Sequence, residues 1–573
     1  MAPIIGIGRQ DFEKLRAGRN FYIDKTRFIM EWWEAEDDVT LITRPRRFGK
    51  TLNMSMVEKF FSVDYAGRGD LFEGLQVWEH EKFRRLQGTY PVIFISFADV
   101  KENTYPQARK KLCSIIRDAF RQYRFLLDGD LLSKEEKQEF KSISADMEDY
   151  MASGSIKALS GYLFRYFGRR VVLLLDEYDT PMQEAYVNGY GREMVAFMRS
   201  LFNSTFKTNP YLERAIMTGI TRVSTPEASL GKESIFSDMN NLEAVTTTSS
   251  KYGDSFGFTE REVFQALDAH GLSDRKREVK DWYDGFTFGK WKDIYNPWSI
   301  LNYMDKRTLA LYWANSSSNN LVTKLIREGD QRLKASFEQL LRGETIITEM
   351  DEQIVYEQLD QEEQAVWSLL VAGGYLKVKE MKLYTTDYGE WRQEYELEIT
   401  NLEVRMMFRN MVRKWFAKAG TVYNDFIKAL LADDIRAMNV YMNKVALTTF
   451  SYFDTGNRPS GAEPERFYHG FVLGLMVEMA DRYILTSNRE SGFGRYDVML
   501  EPRDLKDDGI ILEFKVQDPD NEKELTDTVK AALDQIHQKK YETMLEEKGV
   551  PREKIRSYAF GFCGRQVLIG TAG

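Results

Sequence analysis

An α/β fold is predicted for this chain, with a buried parallel sheet in its first half and a second sheet built on a hairpin near its C-terminus. Three observations predict it. The apolar run Leu41-Ile42-Thr43 leads into a basic turn and Gly49-Lys50-Thr51, after which Met54, Val57 and Phe61 recur at helical spacing, giving strand, loop and helix. Arg170 to Leu175 is a continuous apolar run of the kind a strand covered on both faces needs, and it ends in Asp176 and Glu177. Gly494 to Leu500 and Ile510 to Val516 read as two strands joined by a polar turn.

At 573 residues the chain exceeds a single core and suggests roughly three or four units of ~150 residues. An apolar content of 43% is enough to fill them. The formal net charge of −9 argues against a surface coated for indiscriminate nucleic-acid binding, while leaving room for a local basic groove. Cys113 and Cys563 lie far apart and the four histidines are scattered, so no zinc cluster or disulfide framework is predicted and a reducing, cytoplasmic setting is expected. No apolar run approaches the ~18 residues that span a bilayer, and the N-terminus carries no signal pattern, so no membrane contact is expected.

Residues 1–38 lead in to the first strand through an aromatic-rich helical pattern from Phe28 to Trp33. In a full phosphate-binding loop, Gly-x-x-x-x-Gly-Lys-Ser/Thr, backbone N–H groups and the helix N-terminus cradle phosphates, the lysine reaches the terminal ones and the hydroxyl ligates magnesium. Gly49, Lys50 and Thr51 supply the last three parts, with Arg47 and Phe48 leading into them. Arg44 holds the place of the first glycine, and Arg44, Arg46 and Arg47 are expected to compensate by charge. A bare Gly-Lys-Thr is also consistent with a basic helix cap. What answers it is the tip of the strand ending at Asp176, where Asp176 would hold magnesium through its water shell and Glu177 would orient or deprotonate an attacking water. A further strand, Arg214 to Ile220, places Thr218 at its tip beside a terminal phosphate. Arg222 follows either as a charge sensor or as a surface arginine.

Residues 250–310 read as helical with tight glycine turns, a lid on the first sheet. From 311 to 454 amphipathic helices (Gln331–Leu341, Gln361–Leu370, Ala429–Val440) alternate with short strands such as Tyr375–Lys379, and Thr455 to Ala462 is the best linker. If the C-terminal hairpin is symmetric about Leu505, Asp497 lies opposite Glu513, with Cβ atoms roughly 5 Å apart. Two facing carboxylates make a clamp for a divalent metal. Strand alternation puts Lys515 on the face of Glu513 and turns Phe514 to the core, so the lysine lies where it can position a water or neutralise charge on a scissile phosphate. A helix from Pro464, carrying Phe467, Phe471, Leu475 and Glu478 on one stripe, precedes the hairpin. A helix from Glu524 to Leu545 and strands near Ser557–Phe562 and Gln566–Ile569 follow it.

Taken together, these segments resemble the bacterial and archaeal proteins that join an AAA-ATPase-like domain to a C-terminal PD-(D/E)XK nuclease-like domain. The resemblance rests on Phe21 to Thr26, Arg44 to Thr51, Leu175 to Asp179, Thr218-Gly219, Asn240 to Leu242, Tyr283 to Gly285, Tyr295 to Pro297, and Asp497 with Glu513-Phe514-Lys515. It implies a P-loop ATPase domain over 1–250, with helices on both faces of a parallel sheet. It implies a helical lid at 251–310, a mainly helical connecting region at 311–454, and a restriction-endonuclease-like α/β domain at 455–573. It implies ATP and magnesium, with manganese an option at the second site, and nucleic acid as a partner; the oligomeric state stays open. Glu478 would be the helix-borne acid that some such nucleases add to the metal, or a helix-edge acid. Gln535 matches a further position, although Tyr541 follows at a different spacing, and His469 matches one on the opposite helix face from Glu478. The function implied is ATP-controlled, magnesium-dependent cutting of DNA or RNA. The alternative is a nucleotide-switched regulator whose nuclease-like domain binds nucleic acid or protein without cutting.

Overall fold

A computed structural model describes residues 3–571 apart from 228–230, 237–238, 317–318, 360–361, 416–419, 454–462, 490–494, 519, 540 and 565. The expected linker Thr455–Ala462 lies outside the described residues. The chain forms two compact units, each assembled from separated stretches. Unit 1 comprises Met1–Ser318 and Thr345–Val404, and unit 2 comprises Asn319–Glu344 and Arg405–Gly573.

Unit 1 is built on five strands, β1 (Val39–Thr43), β2 (Val92–Ser96), β3 (Val171–Asp176), β4 (Leu212–Gly219) and β5 (Leu242–Val245). All neighbours run parallel, in the order β2-β3-β4-β1-β5. From β1 the chain crosses to the far edge, returns through β3 and β4, and then adds β5 on the other side of β1. The crossovers therefore diverge at β1, and its C-terminal end opens the crevice where open α/β sheets bind ligands. Every position of β3 is buried, as a strand covered on both faces requires. On one face Ile42, Val172, Leu174, Ile216 and Val245 pack with Met54, Val57, Phe60 and Phe61 of the helix Lys50–Phe61 and with Phe28, Ile29 and Trp32 of the helix Arg27–Ala35. Burying a side chain of this size contributes about 1.5–3 kcal/mol.

The stretch Phe21 to Thr26 has a structural role. Asp24 accepts from the Thr26 N–H at 2.8 Å and the Gln76 N–H at 2.7 Å. The buried Lys25 ammonium donates to both Glu262 oxygens, at 2.8 and 2.7 Å, and to the Asp254 carbonyl at 2.7 Å. Residues 251–310 are only partly helical. Between the helices Glu260–Ala269, Lys276–Tyr283 and Pro297–Lys306 lies a three-stranded antiparallel sheet of Phe258–Thr259, Trp291–Tyr295 and Phe286–Phe288. Its aromatic residues alternate and pack on the turn after β1, which favours strand over helix.

The stretch expected as a connecting region contributes to both units. In unit 1 it supplies Ile346–Thr348 and the long hairpin Leu376–Thr385/Trp391–Ile399, together with Gln353–Val355, which pairs in parallel with Arg222–Glu227. In unit 2 the expected helix Ala429–Val440 is split into Gly420–Leu431 and Ile435–Phe453. Asp433 adopts a left-handed φ of 57° between them, and the Asp434 carboxylate caps Ala437 N–H at 2.9 Å. Unit 2 carries the second sheet, with strands β6 (Tyr483–Arg489), β7 (Arg495–Pro502), β8 (Gly509–Val516), β9 (Ile555–Cys563) and β10 (Gln566–Thr571) in sequence order. All pairs are antiparallel except β8 with β9.

Candidate active sites

The first site forms at the C-terminal ends of β1, β3 and β4. The turn after β1 is tied to the neighbouring strand by the Arg44 N–H donating to Gly219 O at 3.1 Å. Gly49 begins the helix Lys50–Phe61 with φ 81°, a conformation that costs a side-chain-bearing residue free energy. Lys50 is 4% exposed and its ammonium bonds the Arg44 and Pro45 carbonyls across the turn, both at 2.9 Å. Burial lowers its pKa, and the charges of Glu177, Asp176 and Asp179 oppose that shift.

Asp176 is the meeting point. Its Oδ2 accepts from Thr51 Oγ1 at 2.7 Å and its Oδ1 from Thr218 Oγ1. Burial pushes this carboxyl above the usual range while the two hydroxyls pull it back. Glu177 takes φ 53°, its N–H facing Thr218 Oγ1 at 3.4 Å and its Oε2 accepting from Thr180 Oγ1 at 3.0 Å. Gly49, Lys50, Thr51, Asp176, Glu177 and Thr218 are thus brought together. Arg222 is placed elsewhere, lining a small cavity with Thr43, Thr246 and Glu352. Its Nε is buried and without a partner among the described residues.

The basic turn departs from expectation. Arg44 is fully buried, donating to the carbonyls of Thr43 at 2.8 Å, Val245 at 3.3 Å, Thr246 at 2.7 Å and Lys251 at 3.1 Å. Its guanidinium lies 4.6 Å from the Phe288 ring centre, and burial pushes its pKa down to about 9. It therefore fastens the turn to the end of β5 and does not offer its charge to the crevice. The Phe48 side chain likewise leaves the crevice, packing edge-on against Phe286 and Phe288 with centroids 4.8 and 5.4 Å away. Arg47 is exposed, 4.4 Å over the Trp298 ring.

Tyr178 and Asp179 belong to the stretch Leu175 to Asp179, but sequence reasoning gave them no role. Asp179 Oδ2 accepts from the N–H groups of Ile220 and Thr221, from Thr221 Oγ1 and from Gln183 Nε2, each at 2.9 Å. Tyr178 OH donates to Thr221 O at 2.5 Å. Together they clamp the exit of β4 against the tip of β3. A third acid two residues after Glu177, with a tyrosine between, was the available signal.

In unit 2 the register of β7 and β8 sets Asp497 opposite Glu513, as the symmetric hairpin predicts. The Asp497 side chain lies outside the described residues. Glu513 is 0% exposed, and neither carboxylate oxygen has a hydrogen-bond partner among the described residues. Such a group is costly to bury alone, and its two free lone-pair sets are of the kind a cation or a proton satisfies. Ile511, on the same face of β8, packs with Ile536, Tyr541 and Leu545, so Glu513 faces the helix Leu525–Lys539. That helix turns Gln535 inward, where its Nε2 is also unpartnered among the described residues. Lys515 shares this face, its ammonium paired with Glu522. Glu522 in turn accepts from Thr528 Oγ1 at 2.7 Å and the Asp518 N–H at 3.0 Å.

Glu478 does not join this cluster. Phe514, on the opposite face of β8, packs with Phe471 at 6.2 Å between centroids, which puts the helix Glu463–Met479 on the far side of the sheet. The Glu478 carboxylate instead accepts from Arg413 Nε at 3.0 Å, so the helix-edge reading replaces the metal-ligand reading. The side chain of His469 lies outside the described residues.

Comparison with known proteins follows this division. Residues 6–228 match the family described as predicted AAA-ATPase, and residues 463–572 match the PD-(D/E)XK nuclease superfamily. The chain thus carries an AAA-ATPase-like domain at its N-terminus and a PD-(D/E)XK nuclease superfamily domain at its C-terminus. It is 26% identical over 563 residues to an uncharacterized protein in the vnfD 5' region of Azotobacter chroococcum mcd 1, covering 95% of this chain and 94% of that one. No solved structure matches it. No helix among the described residues is long and apolar enough to cross a membrane.

Proposed function

We propose that unit 1 binds and hydrolyses ATP with magnesium, and that its nucleotide state controls a metal-dependent nuclease in unit 2 that cuts DNA. The N–H groups opening the helix Lys50–Phe61 and the Lys50 ammonium hold the phosphates, and Thr51 and Asp176, 2.7 Å apart, form the donor pair for the magnesium. Glu177, steadied by Thr180, takes a proton from the attacking water. In unit 2, Asp497 and Glu513 would hold a magnesium or manganese ion, and such an ion supplies charge stabilisation and an activated water. Lys515 holds its proton near the scissile phosphate and balances the charge that develops there.

The observation that carries the nuclease reading is the buried Glu513 carboxylate with both oxygens unpartnered among the described residues, opposite a second acid. The test incubates the protein with plasmid, single-stranded DNA and RNA, with magnesium or manganese, with and without ATP, alongside calorimetric metal titration. Metal-dependent cleavage is expected, lost in Asp497→Ala and in Glu513→Ala while nucleic-acid binding persists through backbone contacts elsewhere. If the parent cleaves nothing and binds metal no differently from Asp497→Ala, unit 2 is a binding module.

A further inference from the structure

The three arginines of the turn after β1 have three different surroundings, and one is left with unused donors inside the crevice. Arg44 is committed to four carbonyls and Arg47 lies over Trp298. Arg46 is half-buried. Its backbone is fixed, because its carbonyl accepts from Trp313 Nε1 at 3.0 Å and Asn296 Nδ2 at 3.3 Å. Its guanidinium makes one hydrogen bond among the described residues, from Nη2 to Gln183 Oε1 at 3.3 Å. A guanidinium carries five N–H donors in a planar fork suited to carboxylate or phosphate. One long bond to a neutral amide leaves most of them without an acceptor, and no carboxylate among the described residues pairs with this one.

The surroundings define what the missing acceptor is. Arg46 stands close enough to Lys50 for the two positive charges to act on each other, so the pair together favours an anion between them. Gln183 is itself oriented: its Nε2 donates to Asp179 Oδ2 at 2.9 Å, which turns its carbonyl oxygen toward the arginine. It sits on the helix Thr180–Asn188, directly after Glu177, on the side of the crevice where the acids lie. That is the end at which the terminal phosphate would face its water. Arg222, the residue the sequence offers for this task, lines a different cavity.

We infer that Arg46 is the second phosphate-binding cation of unit 1, contacting the terminal phosphate of a nucleoside triphosphate and positioned for it by Gln183 and Asp179. The inference rests on the nucleotide-binding reading of this unit, and the experiment separates the two. Calorimetric titration of the full chain with ADP and with a non-hydrolysable ATP analogue, both with magnesium, compares the parent with Arg46→Gln and Arg46→Lys, thermal melting verifying that each variant folds. Arg46→Gln should bind the triphosphate about ten- to a hundredfold more weakly, as loss of a charge-assisted bidentate contact implies, with ADP far less affected. Arg46→Lys, which keeps the charge without the fork, should fall between. Gln183→Leu should weaken triphosphate binding by a smaller factor; unchanged affinity removes Gln183 from its positioning role. Triphosphate affinity unchanged in Arg46→Gln, or equal losses for both ligands, overturns the assignment while the nucleotide site stands. A parent that binds neither ligand overturns the nucleotide-binding reading itself.

Discussion

Glu513 is the residue whose environment makes the sharpest demand. A carboxylate wholly out of water with no donor on either oxygen among the described residues costs several kcal/mol unless a cation or proton compensates. In chelator, Glu513→Gln should therefore melt higher than the parent, by about 1–3 kcal/mol of stability. Added magnesium or manganese should stabilise the parent and leave the variant unmoved. Thermal melting in chelator and in metal checks both halves, and a variant that melts lower in chelator would mean that the carboxylate has a partner of its own. Glu513 was legible in the sequence because strand alternation and hairpin symmetry are local rules, and the register followed them. Glu522 was not, although it lies near Lys515 in the chain. It stands in a turn crowded with acids, and only the folded path brings it onto the ammonium and onto Thr528.

At the scale of elements, the turn from Arg44 to Gly49 shows what composition hides. Three arginines in four positions look interchangeable, yet the path of the backbone buries one, half-buries the next and exposes the last. Because Arg44 satisfies carbonyls of Thr43, Val245, Thr246 and Lys251, Arg44→Gly would not repair the motif by restoring its usual first glycine. It should cost about 3 kcal/mol or more by leaving those carbonyls unmatched and a void beside Phe288. Denaturant unfolding with a nucleotide titration checks this: a glycine variant as stable as the parent would refute the fastening role. Of the hairpin Leu376–Thr385/Trp391–Ile399 only the start, Tyr375–Lys379, was legible as a strand, for a related reason. Its strands carry a charge ladder, Lys379 with Glu396 at 2.7 Å and Lys377 with Glu398 at 3.3 Å, so the alternation that marks a half-buried strand is blurred by lysines on the first strand and glutamates on the second.

For the whole molecule, the proposal joins two chemistries, and two variants in unit 1 separate their coupling from their parts. Lys50→Ala removes the buried cation that bridges the turn and should abolish nucleotide binding. Glu177→Gln keeps that cradle and should bind ATP without turning it over. Neither alters a residue of unit 2, so at saturating ATP their cleavage rates should nevertheless differ from each other, one reporting the empty state and the other the loaded one. Equal rates would mean that the nuclease ignores the nucleotide. The chain's path between its units has a consequence for how the protein comes into being. The segment 6–228 that matches the ATPase family ends before β5, whose carbonyls hold Arg44, and long before Gln353–Val355 and Tyr356, whose hydroxyl meets Thr221 Oγ1 at 3.0 Å. On the ribosome, the nascent first unit must wait with an open seam while Asn319–Glu344 of the second is translated. A gene cut at the family boundary would encode a sheet missing its edge strand.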